Sequence, residues 1–144
     1  MTGASRRFGS GVPLVFDTSA WVRQRDPSVS EYWQATLAED LLASCPVVSL
    51  EVLAGARDEA AFVDLDTALG ALPSAPLTAA VTAAAIGAAR ALSGSRRLPA
   101  ADYLIAAAAA ERGFGVLHYD RHFDVLAAVL PIESVWVAPA GTIA

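Results

Sequence analysis

Four acidic residues stand in apolar stretches of the sequence, where a carboxylate is costly unless something pairs with it. Asp17 ends the run VPLVF, and Asp120 ends the run FGVLHY. Glu51 and Asp102 are each the sole charge within a long apolar segment. Four carboxylates that meet repel one another unless a divalent cation neutralises them, and oxygen ligands favour Mg²⁺ or Mn²⁺. The residue types therefore suggest a metal site, provided that the fold brings the acids together.

The predicted secondary structure places these acids at one end of a parallel sheet. Strands predicted over 12–16 and 114–119 end next to Asp17 and Asp120, while Glu51 and Asp102 lie near the starts of helices. The carboxyl ends of the strands and the starts of the following helices share one rim of such a sheet, so all four acids are expected there. From the residues alone, Asp17 and Asp120 fit helix N-caps equally well, and Asp102 fits a partner of a helix dipole.

Strand and helix patterns alternate along the chain, which indicates an α/β domain with a mostly parallel sheet. We predict a loose segment over 1–11, one domain over 12–137 and a tail over 138–144. Helices are predicted over about 28–43, over 58–71 and over RHFDVLAAVL, and also from Pro46 through VVSLEVLAGA, from a Thr78 cap to Leu92 and from Pro99 to Ala110. Besides the two strands above, strands are predicted over 75–77 and 132–137.

The composition excludes several classes of protein. A net charge of -5 and a pI near 4.8 argue against binding nucleic acid by bulk positive charge. Hydrophobic residues make up 55% of the chain and its mean hydropathy is +0.46, so we expect a partner to cover part of the apolar surface. The uncharged stretch 67–89 contains two prolines and mostly alanine, and we expect no membrane span. The single cysteine, Cys45, fits a reduced cytoplasm.

The motifs around the four acids resemble those of the PIN-domain ribonucleases, especially the VapC-type toxins of bacterial toxin-antitoxin pairs. The resemblance spans about residues 12–137 and rests on VFDTSAW, VVSLEVLAGA, ADYLIAAAAAERG and VLHYDRHFD, in that order. It implies a PIN-like three-layer sandwich, in which helices flank a mostly parallel central sheet of four or five strands.

The resemblance also implies an activity and a site. By matching positions, Asp17 and Asp102 are the principal ligands of one or two Mg²⁺ or Mn²⁺ ions, Asp120 is a further ligand, and Glu51 is a ligand or a base that orients water. The implied reaction is endonucleolytic hydrolysis of RNA that leaves a 5′-phosphate and a 3′-hydroxyl. The implied partners are RNA, a VapB-type antitoxin and a second copy of the chain.

Two positions depart from the family pattern. Many members carry an acid two residues after the fourth carboxylate, where this chain has His122, which leaves open whether one or two metal ions bind. The Thr, Ser or Asn that members often place beside the fourth acid is represented by His118 and Tyr119. Thr18 and Ser19 do match the small polar pair that follows the first acid.

Arginines near the acids offer contacts for RNA phosphates. Arg96 and Arg97 precede the Asp102 helix, and Arg121 adjoins Asp120. Solvated loop charges explain the same three residues equally well.

Two other metal-dependent classes place carboxylates at strand ends, namely receiver-type phospho-acceptor domains and haloacid-dehalogenase-type phosphatases. Both resemblances imply a lysine in the site, and this chain has none: all ten basic residues are arginine. The remaining alternative is a degenerate PIN domain that binds RNA or a protein without cutting.

Overall fold

The computed structural model describes residues 6–144, and within them four strands form one parallel sheet in the order β2-β1-β3-β4. The strands are β1 (Leu14–Phe16), β2 (Leu42–Ala43), β3 (Gly115–His118) and β4 (Ser134–Trp136). The helices are α1 (Thr18–Trp21), α2 (Pro27–Ala38), α3 (Pro46–Ala54), α4 (Glu59–Gly70), α5 (Ala79–Leu92), α6 (Ala100–Glu111) and α7 (His122–Leu126). The predicted α/β class with a parallel central sheet flanked by helices is confirmed.

The two central strands are apolar because both faces of the sheet are covered. All residues of β1 and β3 are buried, and Val15 pairs with Val116 in register. Helix α6 contacts both strands through a run of fully buried alanines, 106–109, whose small side chains let helix and sheet approach closely. Trp33 of α2 packs on Phe16 of β1. This packing fixes the ends of β1 and β3, where Asp17 and Asp120 follow.

The helix predicted over 28–43 is too long at its carboxyl end, and this part of the prediction is wrong. Helix α2 ends at Ala38, and Asp40 adopts a left-handed backbone with φ 57°, which stops the helix. Leu42 and Ala43 then form β2, an edge strand that pairs with β1. A strand of two residues is too short to produce an alternating pattern that the sequence could reveal.

The strand predicted over 75–77 is also wrong. The chain forms only an isolated bridge between Ser44 and Ser74. Pro73 and Pro76 flank this point, and proline lacks the N–H that a strand needs to extend its ladder.

The two ends of the described chain pack against the domain. Phe8 is buried and stacks on Tyr32, and its N–H donates to the Thr36 hydroxyl. The Tyr119 hydroxyl accepts a hydrogen bond from the Ile143 N–H in the tail. Residues 1–5 of the predicted loose segment lie outside the described residues, and the domain bounds stay a prediction. Among residues 6–144, the helices are all too short or too polar to cross a membrane.

Candidate metal centre

Asp17 leaves the sheet directly after β1 and caps the short helix α1. Its Oδ2 accepts hydrogen bonds from the Ser19 N–H at 3.1 Å and the Ser19 hydroxyl at 2.6 Å. Its own N–H donates to the Leu117 carbonyl, which ties it to the end of β3. Asp17 is only 7% exposed, and within the described part of the chain its Oδ1 accepts no hydrogen bond. A buried carboxylate oxygen without a donor is costly, and a cation would satisfy it.

Asp102 lies in the first turn of α6 and is also buried. Its Oδ2 is 2.7 Å from Nδ1 of His122. Burial raises the pKa of the Asp102 carboxyl, the hydrogen bond from His122 opposes that rise, and the negative charges of Asp17 and Asp120 add to it. The charges of Asp17 and Asp120, from other parts of the sequence, therefore reach Asp102.

Asp120 is the second residue after β3 and is half-buried. Its Oδ1 accepts a hydrogen bond from the His122 N–H at 3.0 Å and lies 3.4 Å from Nδ1 of the same residue. Asp102, Asp120 and His122 each offer one ligand atom, and these atoms all lie within 4.8 Å of one another. The N-cap interpretation does not describe Asp120, since helix α7 begins at His122 behind Arg121.

Glu51 stands further out than the three aspartates. It lies in the second turn of α3 rather than at its start, and it is exposed. Its Oε1 accepts a hydrogen bond from the Thr18 hydroxyl at 3.0 Å, which joins it to the residue after Asp17. Glu51 thus lies at the solvent side of the group formed by Asp17, Asp102 and Asp120.

Ser19 links the ends of the two central strands. Besides donating to Asp17, its hydroxyl accepts a hydrogen bond from the Tyr119 N–H at 2.9 Å. Thr18 and Ser19 both use their hydroxyls to hold acids of the site, and their predicted contact with substrate stays a prediction. Arg23, which the sequence analysis missed, donates from Nη1 to the Ser19 carbonyl at 2.6 Å and stacks 4.4 Å from the Tyr119 ring centre.

A chain of hydrogen bonds that runs from the buried His118 ring to the exposed Asp124 carboxylate holds the backbone of Asp120. The imidazole of His118 is fully buried; its Nδ1 accepts from the Asp120 N–H at 3.1 Å, and Nε2 lies 2.7 Å from the Ser134 hydroxyl. Because the backbone N–H is a donor, Nδ1 has no proton and Nε2 holds it. The Ser134 hydroxyl donates onward to Asp124, which also accepts from the Trp136 indole. We call His118, Ser134, Asp124 and Trp136 the β3–β4 relay.

Burial keeps the relay imidazole neutral. It lowers the pKa of His118 from 6.5 to about 4, against the opposing effect of the nearby carboxylates, of which Asp124 is the strongest. No sequence pattern indicates this arrangement, because Ser134 and Trp136 lie on a strand whose register with β3 is a tertiary feature. Trp136 is half-buried beside His118, in line with the structural role that its residue type favours.

The predicted phosphate-binding arginines are all exposed. Arg96 and Arg97 lie in the loop before α6, and Arg121 lies next to Asp120. Arg121 also borders an open groove of about 1190 Å³ that runs past Trp136 toward the tail. Their contact with RNA remains a prediction.

The donor set suits a hard divalent cation. Carboxylate oxygens from Asp17, Asp102 and Asp120 are the ligands that Mg²⁺ and Mn²⁺ prefer. Asp17 has a buried oxygen without a donor, and burial raises the pKa of Asp102; a bound cation would satisfy the first carboxylate and favour the ionised form of the second. Such a site can neutralise a phosphodiester and activate water.

Comparison with known proteins gives consistent matches over most of the chain. The PIN domain family matches residues 14–129. Two proteins of Mycobacterium tuberculosis, ribonuclease VapC18 and ribonuclease VapC51, are 34% and 37% identical to this chain. The alignments cover 88% and 90% of this chain, and 96% of each relative.

A solved structure shows the same fold. DNA-bound VapBC from Salmonella typhimurium superposes with a TM-score of 0.68 over 88% of this chain and 99% of that one, at 14% sequence identity. At this identity the superposition bears on the fold alone.

Proposed function

This chain belongs to the PIN-domain family, as a VapC-type ribonuclease, and on that premise we propose that it is a metal-dependent endoribonuclease that acts as the toxin of a toxin-antitoxin pair. One observation supports this most: Asp17, Asp102 and Asp120 come from separate parts of the chain, yet the charges of Asp17 and Asp120 reach Asp102 and add to the effect of burial in raising its pKa. A fold has no structural need to collect three such charges, since each one makes the others harder to bury.

The residues fit the roles that hydrolysis of a phosphodiester requires. Asp17, Asp102 and Asp120 would hold Mg²⁺ or Mn²⁺, which when bound supplies charge neutralisation and a more acidic water. The exposed carboxylate of Glu51, which accepts a hydrogen bond from Thr18, would orient water or accept its proton. The β3–β4 relay holds the backbone of Asp120 in place.

The proposed partners follow from relatives and from the surface. VapBC structures are toxin-antitoxin complexes, and a VapB-type antitoxin is the partner that we propose for this chain. Large apolar side chains that are exposed on or next to several helices support contacts with an antitoxin and with a second copy of the chain; they include Val22, Leu50, Val63 and Ile86. RNA as the substrate and the cytoplasm as the location belong to the same proposal.

Cleavage of RNA by the purified protein tests the activity. The native protein should cut RNA in the presence of Mg²⁺ or Mn²⁺, stop when the metal is chelated, and leave 5′-phosphate ends. Asp17→Asn should lose the activity by about three orders of magnitude, because a neutral amide neither neutralises the ion nor binds it as tightly. The exposed Asp66 on α4 offers a control, since Asp66→Asn makes the same charge change away from the site.

Two results would overturn the proposal. If Asp17→Asn cut RNA at the native rate, the site assignment would be wrong. If the native protein bound RNA or an antitoxin but cut no RNA with either metal, the non-catalytic PIN domain would be the correct interpretation. Sequencing the 5′ ends formed after brief expression would identify the RNA.

A further inference from the structure

His122 offers a nitrogen atom in a site whose other candidate ligands are carboxylate oxygens. Nδ1 of His122 lies 2.7 Å from Oδ2 of Asp102 and 3.4 Å from Oδ1 of Asp120. Both carboxylates belong to the metal site of the proposed function, on which this inference rests. An imidazole nitrogen therefore lies among the oxygen atoms that we propose as ligands.

The spacing of these atoms matches that of neighbouring ligands around one cation. Ligands at right angles around an octahedral ion, each roughly 2.1 Å from it, are about 3 Å apart. The two distances from Nδ1 lie on either side of that value, and all three atoms fall within 4.8 Å of one another. Each residue is also held: Asp102 by α6, and Asp120 by the His122 N–H and the His118 ring.

The other histidine of the chain is unable to take this role. His118 is fully buried, and both of its ring nitrogens already have partners, the Asp120 N–H and the Ser134 hydroxyl. The chain contains two histidines in total, so His122 is the only imidazole available to an ion.

We propose that His122 is a ligand of the divalent ion, together with Asp102 and Asp120, and that it makes the site prefer Mn²⁺ over Mg²⁺. Imidazole binds Mn²⁺ better than Mg²⁺, which prefers oxygen ligands alone. A neutral imidazole carries one N–H proton, and for Nδ1 to bind the ion this proton must be on Nε2, so water would take a proton from Nδ1 and return one to Nε2. This exchange is open to solvent, since the His122 side chain is 38% exposed.

Pulsed electron paramagnetic resonance of bound Mn²⁺ tests the ligand directly. The tag-free native protein loaded with Mn²⁺ should show the hyperfine coupling of an imidazole ¹⁴N. His122→Asp should bind Mn²⁺ without that coupling, because its carboxylate supplies oxygen instead. Loss of the coupling separates a ligand from a residue that only shapes the pocket.

Calorimetric titration with Mn²⁺ and with Mg²⁺ measures the preference. The ratio of the two affinities should fall on the order of tenfold in His122→Asp, with Mg²⁺ binding more tightly than in the native protein. Asp66→Asn serves again as the surface control and should keep the native ratio.

The outcomes separate this inference from the proposed function. Mn²⁺ bound without ¹⁴N coupling in the native protein, or an unchanged affinity ratio in His122→Asp, would contradict the role of His122 and leave the ribonuclease intact. Absence of Mn²⁺ binding to the native protein would overturn the metal site itself, and this inference with it.

Discussion

Acidification should destabilise this protein through one buried side chain, His118. Its pKa is about 4 in the folded state and 6.5 as the ordinary value, so the unfolded chain binds a proton between these limits and the folded chain does not. The free energy of unfolding should therefore be unaffected by His118 above pH 6.5 and should fall as the pH drops from 6.5 to 4.

The size of this loss follows from the same two pKa values. Their difference, 6.5 minus about 4, at 1.36 kcal/mol for each pKa unit, amounts to about 3 kcal/mol. The pKa of His118 is lowered because the ring is fully buried, and a proton on Nδ1 would also break its hydrogen bond with the Asp120 N–H. A loss of this size is a substantial share of the stability of a small domain.

Urea unfolding at about pH 7.5 and at about pH 4 measures the effect. The native protein should lose about 3 kcal/mol more than His118→Phe, which keeps a ring in the site but does not titrate. Comparing the two proteins removes the contribution of other groups, Asp102 among them. Equal losses in both proteins would refute the assignment of His118 as a neutral buried imidazole.

Three substitutions test the packing and charges around the site. Asp102→Asn should raise the unfolding free energy of the metal-free protein at neutral pH. This gain should shrink as the pH falls, because a carboxyl with a raised pKa destabilises the fold only while it is ionised. A loss of stability in Asp102→Asn would contradict this. Ser19→Ala removes a hydroxyl that joins Asp17 to the Tyr119 N–H and should cost about 1–3 kcal/mol in urea unfolding, with weaker Mn²⁺ binding in calorimetry. Gly115→Ala would place a Cβ 2.7 Å from the Glu133 carbonyl oxygen and should cost more than about 2 kcal/mol, so that a neutral result would contradict the close strand pairing.

The three aspartates were predictable from the sequence because an ionised side chain in an apolar run needs a physical reason. Asp17 and Asp120 follow buried strands, and Asp102 interrupts an alanine-rich helix, so each position pointed to the carboxyl rim of the sheet. For Asp17, the N-cap and the proposed ligand turned out to be compatible, since one oxygen caps α1 and the other is unpaired. The sequence alone does not distinguish an N-cap from a metal ligand at Asp17, because the two roles use different oxygens of the same carboxylate.

The β3–β4 relay and strand β2 were not predictable in the same way. The parallel pairing of β3 with β4 brings Ser134 to His118, and Ser134 then contacts Asp124 on α7. Strand β2 has two residues, and its existence depends on the left-handed turn at Asp40 and on the open edge of β1. Both features are set by tertiary contacts, which no periodic pattern in the sequence records.

Calorimetric titration of the purified protein with Mn²⁺ tests most directly whether Asp17, Asp102 and Asp120 form one cation site. Saturable binding to the native protein is expected, together with its loss in both Asp17→Asn and Asp102→Asn and its retention in Asp66→Asn. Heats no larger than those of buffer in the native protein, or equal binding in all four proteins, would contradict a metal centre at the ends of β1 and β3.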